Sequence, residues 1–376
     1  MTLLRAAVAW HIYSLSRSAF HLGLIGIVQF IPALLLTLVG GAVADSYDRR
    51  RVINLAQLVT LSASGVLLNA TYRGNVQLWL LYAAALVISC AGAFENPARA
   101  ALLPQIVGRE RFPRAVTIAS TNQALAFASG PALCGFAIAE RGIGAAYATF
   151  VALVTLAFVG IMFLGAAPNV DTVRRAVSLA AIREGLAFVW QRPVVLGCMA
   201  LDMFAVIFGG ASALLPIYAN EILRVGPRGY GLLTSSLELG ALSTALLMML
   251  RPPVRAAGRT LLVAVAVYGV ATVVFGLSRW FPLSLAAYVA AGMADQVSVV
   301  MRSTAIQLST PDELRGRVSS VNLLFIGASN QLGAAESGFV AALTSTPFSV
   351  VSGGIGCLLV VAIVAQRLPE LRRYRV

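Results

Sequence analysis

Residues Leu22–Arg51 read LGLIGIVQFIPALLLTLVGGAVADSYDRRR. No charge interrupts Leu22–Ala44, the first acid is Asp45, and the stretch closes on Arg49, Arg50 and Arg51. At about 1.5 Å per residue such a run forms a helix of roughly 35 Å, enough to cross a ~30 Å hydrocarbon core. The arginines then hold its end at one membrane face.

The alternation of apolar run and basic loop repeats along the chain. A short run covers Met1–Leu15, followed by Leu22–Ala44, Val52–Ala70, Val76–Phe94, Ala115–Ala139 and Gly144–Gly165. After a polar interruption come Val194–Ala219, Tyr230–Leu250, Thr260–Leu277, Pro282–Val300, Val318–Leu343 and Phe348–Val364. Twelve runs in two sets of six predict an all-α membrane protein. The expected organisation is a six-helix half over 1–165, a linker over 166–193 and a second six-helix half with a tail over 194–376. Within the linker, Leu179, Ile182, Leu186 and Val189 recur at helical spacing, with Arg183 and Glu184 on another face. That pattern predicts a short amphipathic helix at the membrane surface.

Composition agrees. Of 376 residues, 59% are hydrophobic and only 11% charged, whereas a soluble domain carries roughly 25% charged residues. The outer surface is therefore expected to face lipid. The formal net charge of +13 would suit a nucleic-acid binder, but its placement does not. There is no lysine, and of the 28 arginines all but Arg5, which lies inside the first run, gather in the loops. One set of alternate loops and the tail hold Arg49–Arg51, Arg99, Arg109, Arg111, Arg114, Arg174, Arg175, Arg183, Arg192, Arg251, Arg255, Arg259, Arg302, Arg315, Arg317, Arg367, Arg372, Arg373 and Arg375. The other set holds Arg17, Arg73, Arg141, Arg224, Arg228 and Arg279. By the positive-inside rule the first set, the linker and both termini are cytoplasmic. A lysine-free chain rich in Ala, Gly and Arg suggests a GC-rich bacterial genome, hence a multi-pass inner-membrane location.

Cys90, Cys134, Cys198 and Cys357 stand singly in apolar runs, as packing residues do, and His11 and His21 are the only histidines. No metal site, His-based triad or nucleophile–base trio is expected, and no GxxxxGK[ST] segment is present for ATP. The chain is expected to be neither an enzyme nor a cofactor protein.

The halves are related. A shift of 203 residues places Arg99 on Arg302, Arg114 on Arg317, Gly130 on Gly333 and Gly135 on Gly338. A six-helix unit repeated in parallel is the architecture of transporters whose halves alternate about a central site. The comparison also marks run 1 as short: Tyr13 and Tyr218 close runs 1 and 7, but far fewer residues precede Tyr13. The first helix is expected to be cut, with its true start upstream.

The loop after run 2 carries Gly40-Gly41-Ala42-Val43-Ala44-Asp45-Ser46-Tyr47-Asp48-Arg49-Arg50-Arg51. It resembles the signature of the major facilitator superfamily: Gly, three residues, Asp, basic, any, Gly, Arg, basic. Gly41, Asp45, Arg49 and Arg50 match, while Ser46 replaces the usual base and Asp48 the usual glycine. Gly41 is expected to let helices approach closely. Asp45 is expected to pair with arginines or cap a neighbouring helix, as a latch for one conformation. Run 5 carries Ala126-x3-Gly130-Pro131-x2-Cys134-Gly135, similar to the superfamily's antiporter motif, which accompanies export. Glu95–Pro104, Thr310–Val318 and Leu215–Ala219 narrow the resemblance to the branch holding the enterobactin exporter and related bacterial drug-efflux proteins. That implies a major facilitator fold and a secondary transporter exporting a drug-like or siderophore-like molecule. The implied energy source is the proton gradient, and the implied partners are the substrate and the bilayer, with the protein a monomer. A facilitator or importer of a metabolite or lipid, or an inactive remnant, are the other readings.

Ionisable residues within a membrane are functional candidates by default. Asp202, Glu238, Asp295 and Glu336 lie well inside runs 7, 8, 10 and 11, and runs 3, 6, 9 and 12 hold no acid. In the superfamily those four acid-free helices are outer supports and the others face the cavity. Glu238 and Glu336 fall at similar sequence depth, where two carboxylates would repel and suit reversible protonation. Glu95, Arg99, Arg302 and Arg317, at run ends, are expected to form a cytoplasmic gate.

Overall fold

The computed structural model describes residues 1–107, 111–163, 179–250, 254 and 256–375. The side chain of Asp45, linker residues 166–178, and Arg109, Arg174, Arg175, Arg251 and Arg255 lie outside that set. Among the described residues every regular element is a helix. The order is α1 (Thr2–Ser16), α2 (Ala19–Ser46), α3 (Arg49–Tyr72), α4 (Leu78–Ile106), α5 (Phe112–Arg141), α6 (Ile143–Met162), α7 (Leu179–Gln191) and α8 (Pro193–Phe208). A 3₁₀ turn (Ala211–Leu214), α9 (Leu215–Ile217) and a π-helical turn (Tyr218–Ile222) follow. Then come α10 (Gly226–Met249), α11 (Ala257–Leu277), α12 (Phe281–Leu308), α13 (Arg315–Leu343), α14 (Thr346–Arg367) and α15 (Pro369–Arg373). Each apolar run carries a helix, and α7 falls within the linker; the side chains of Leu179 and Ile182, on its expected apolar face, lie outside the described residues. Nine of the described helical spans are long and apolar enough to cross a membrane. α1 has only 15 residues, and α5 and α13, though of spanning length, are richer in Ser, Thr, Asn and Gln.

Local chemistry sets the helix ends. Proline stands in the first turn of α5, α8, α10, α12 and α14, where its fixed φ suits the helix and its missing N–H costs nothing. Gly142, at φ 77°, ends α5 in the left-handed region that favours glycine. The Asp48 carboxylate accepts from the Arg50 N–H at 2.9 Å and caps α3. The acid that replaces the signature's glycine is thus the helix cap.

The chain divides into two compact units, residues 1–16 with 28–177 and residues 17–27 with 178–376. In the first unit α3 packs on α4 and α6, and α1 on α5 and α6. Between transmembrane helices, packing rather than water exclusion supplies the attraction, so small residues decide how close backbones come. The close approach in the signature loop belongs to Gly40, not to the expected Gly41. A Cβ on Gly40 would lie 2.2 Å from the Ala93 carbonyl oxygen, whereas one on Gly41 would meet nothing described within 4 Å. Gly40 faces α4 and Gly41 the next direction round the helix. Beside them Ala44, Ile53, Ala98 and Leu102 form a buried cluster joining the ends of α2, α3 and α4.

In the second unit α12 packs on both α10 and α11, α14 on α11 and α8, and α13 on α8 and α7. Residues 17–27 join it through glycine: a Cβ on Gly23 would lie 3.0 Å from the Gly338 Cα, and one on Gly26 2.7 Å from the Gln331 carbonyl. Val189 of α7, 1% exposed, enters the apolar cluster that includes Cys198, Leu201, Val318 and Val321. Cys134, Cys198 and Cys357 are fully buried.

Candidate functional site

The charges within the apolar runs of the second unit lie on α8, α10, α12 and α13: Asp202 and Arg302 are buried, Glu238, Asp295 and Glu336 half-buried. Asp202 of α8 is ion-paired with Arg302 of α12, with side chains 10% and 4% exposed. The sequence separates them, one as a coupling acid and one as a gate; the structure joins them in one pair. The Arg302 Nε is also buried and has no hydrogen-bond partner among the described residues.

Asp202 and Asp295 line one cavity of about 10 Å³, together with Ala205, Val206, Val265, Tyr268 and Ser298. That is room for about one water molecule. No cation is paired with Asp295 among the described residues; its charged neighbour is Glu238 of α10, near enough to interact electrostatically. Glycine brings these two acids into one layer. A Cβ on Gly292 would fall 1.9 Å from the Leu237 carbonyl, and one on Gly240 2.2 Å from the Val289 carbonyl. The two helices therefore touch backbone to backbone on either side of Glu238, about one turn before Asp295. Sequence depth points from Glu238 to Glu336, yet the carboxylate whose charge Glu238 influences is Asp295. Glu336 is held otherwise: the Ser337 hydroxyl donates to its Oε2 at 3.3 Å, and the Ser337 carbonyl accepts from the Ser349 hydroxyl at 2.9 Å.

Beside this layer the seventh apolar run is broken. α8 stops at Phe208, and the chain resumes in a 3₁₀ turn at Ala211. The Tyr268 hydroxyl donates to the Gly209 carbonyl at 3.1 Å, which satisfies a backbone acceptor at the break. Gly210 fits there because a Cβ would lie 2.7 Å from the Gly333 carbonyl. The Gly209–Gly210 pair was the sequence signal for this break, and an uncharged tyrosine in an apolar run gave no signal for Tyr268.

In the first unit Glu95 is 3% exposed and is ion-paired with Arg99, one turn along α4. Gln57 of α3, itself buried, donates to Glu95 at 3.3 Å. Gln57 escaped the sequence reading, which weighed acids and not the amide that satisfies one. Arg49 and Arg50 begin α3. Gly130 and Pro131 lie within an unbroken α5, and Gly135 is buried. Gly130 makes room for α1: a Cβ there would lie 2.2 Å from the Thr2 hydroxyl oxygen, and that hydroxyl donates to the Ala126 carbonyl at 2.9 Å. Arg317, in the first turn of α13, is paired with Glu184 of α7, so it fastens the linker helix. Among the described residues no three His, Cys, Asp or Glu side chains gather as a metal site would require.

The chain is 28% identical to the multidrug efflux pump Tap of Mycolicibacterium fortuitum, over 97% of this chain and 91% of that protein. It is 26% identical to the enterobactin exporter EntS of Escherichia coli, over 99% and 89%. The crystal structure of a mutant of the peptide transporter POT superposes with a TM-score of 0.77 at 12% identity, covering 100% of this chain and 92% of that one. That likeness establishes the major facilitator fold. Residues 2–374 match the family model described as transmembrane secretion effector, and the chain belongs to this family of the major facilitator superfamily.

Proposed function

We propose that the protein is a secondary active transporter that exports a small amphipathic molecule by alternating access, driven by proton antiport. The location is a bacterial inner membrane with both termini cytoplasmic. The observation that carries the reading is the unequal treatment of two acids on one cavity. Arg302 neutralises Asp202, while Asp295 shares its surroundings with another carboxylate, Glu238. Two carboxylates that act on each other across a half-buried layer repel, and binding one proton relieves the repulsion. Asp295 and Glu238 are therefore the proton-exchanging pair, and Asp202 with Arg302 a fixed charge pair that keeps α8 against α12. The efflux activities named for the two relatives support the outward direction, and the alternating arginine loops support the topology.

The test uses everted vesicles from cells lacking their own efflux pumps, energised with a pH gradient. Drugs and siderophores are added and collapse of the gradient is followed. Collapse that is lost in Asp295→Asn or Glu238→Gln, with the protein still inserted, supports proton-coupled export. Collapse in neither the native protein nor the variants across a broad panel refutes it. Facilitated diffusion or import is the second reading, favoured by the packing role of Gly130, whose contact with Thr2 explains part of the antiporter-like motif without any link to export. Counterflow in unenergised vesicles separates the two.

A further inference from the structure

A second cavity lies at the start of α11, far in character from the acid layer. Its volume is about 270 Å³, and its lining is Ala256, Arg259, Arg372, Arg373, Tyr374 and Arg375. Four guanidinium groups around one hollow repel each other, and no acidic side chain is among the lining residues. The nearest acid in sequence, Glu370, stands at the start of α15. Arg259 lies in the first turn of α11, the positive end of the helix dipole, where a cation is unfavourable. That helix has no acid in its first turn and no side-chain cap.

The fold nonetheless holds the tail in place. Leu371 is fully buried. The Gly258 N–H donates to the Tyr374 carbonyl at 3.2 Å, and the Ser309 hydroxyl donates to the Tyr374 hydroxyl at 3.3 Å. A Cβ on Gly258 would lie 1.7 Å from the Leu371 carbonyl, so only glycine admits the tail so close to the helix start. Packing thus holds the tail so that four exposed arginines share one hollow, an arrangement that an anion completes.

The geometry points to a binding site for a phosphate group, held between Arg259 and the arginines of the tail. Arginine's planar fork suits phosphate oxygens, and the first turn of a helix attracts the same charge. The site's position suggests the carrier. Ala257 begins a membrane-spanning stretch, Ala257–Leu277, so the cavity lies at the depth where phospholipid headgroups sit, and basic pockets at that depth take anionic lipids. Free phosphate offers the same chemistry without the acyl chains.

Purified full-length protein is placed in nanodiscs of phosphatidylcholine alone or with one-third phosphatidylglycerol, and bound lipid is counted by native mass spectrometry. The expected result is at least three-fold retention of phosphatidylglycerol over phosphatidylcholine, falling to parity in Arg259→Gln/Arg372→Gln/Arg373→Gln. Should that variant fail to fold, the corresponding Lys triple variant keeps the charge and reports a partial loss of preference. Arg279→Gln, beyond the opposite end of α11, keeps the full preference. In a parallel arm, inorganic phosphate is added to the protein in neutral detergent. Arginine-dependent stabilisation there, without lipid preference, assigns the site to free phosphate. Equal retention of both lipids with no phosphate effect, or a preference untouched by loss of the arginines, overturns the proposal.

Discussion

Asp202 and Arg302 form an ion pair between α8 and α12 that is almost closed to solvent, and Asp295 stands on the wall of the cavity that Asp202 helps to line. The pair brings an acid–base contact to a place where Asp295 has no cationic partner among the described residues. Its energetic weight is therefore testable apart from transport.

Removing one partner of a buried ion pair leaves an uncompensated charge, at a cost of about 3 kcal/mol. Asp202→Asn and Arg302→Gln are each expected to lower the thermal unfolding temperature of the purified protein strongly. The double variant leaves no lone charge, so its loss should be smaller than the sum of the two. Additive losses in a double-mutant cycle would show that the pair is not coupled.

Gly40 and Gly41 offer a sharp contrast between neighbours. Gly40→Ala pushes a methyl group into the Ala93 carbonyl, and overpacking of that kind costs roughly 1–3 kcal/mol. Gly41→Ala meets no described atom within 4 Å and is expected to leave unfolding unchanged to within about 0.5 kcal/mol. Equal effects in thermal unfolding would contradict the packing described for α2 and α4.

That contrast shows what a sequence carries and what it hides. The twelve helices were legible because charge is expensive in lipid, so Arg49–Arg51 and their counterparts mark every second loop. The intramembrane acids were legible for the same reason. Which acids fall near each other was not, because α10 and α12, which carry Glu238 and Asp295, are joined by backbone contacts at Gly240 and Gly292 between residues distant in sequence. The direction each glycine faces also depends on the neighbouring helix, so the signature pointed to Gly41 while the contact fell on Gly40. Asp202 and Arg302 are 100 positions apart, Asp202 within run 7 and Arg302 just past the end of run 10, where the sequence reads a loop and the structure continues α12, and nothing local announces their pairing.

Tyr268 stabilises the break between α8 and the 3₁₀ turn through its bond to the Gly209 carbonyl. Tyr268→Phe keeps the ring and removes the donor, leaving a backbone acceptor unsatisfied in an apolar setting. The expected loss is about 1–3 kcal/mol in unfolding. Tyr268→Phe should also raise protease sensitivity near Gly209 and Gly210 in detergent, whereas unchanged cleavage and stability would remove the tyrosine from any role at the break.

The Arg317–Glu184 pair fastens the linker helix α7 to α13, but its side chains are 39% and 55% exposed. Screening by solvent and ions limits such a contact to at most about 1 kcal/mol. Arg317→Glu alone is expected to loosen α7 through repulsion with Glu184 while barely changing global unfolding, because Val189 still anchors the helix in the apolar cluster. The swapped variant, Arg317→Glu with Glu184→Arg, should restore the contact. Hydrogen exchange over residues 179–191 reads the difference: faster in the single variant, native in the swap, and at high salt the same in all three. Exchange that stays fast in the swap would mean that Arg317 acts through some other neighbour and that charge at Glu184 does not hold the linker.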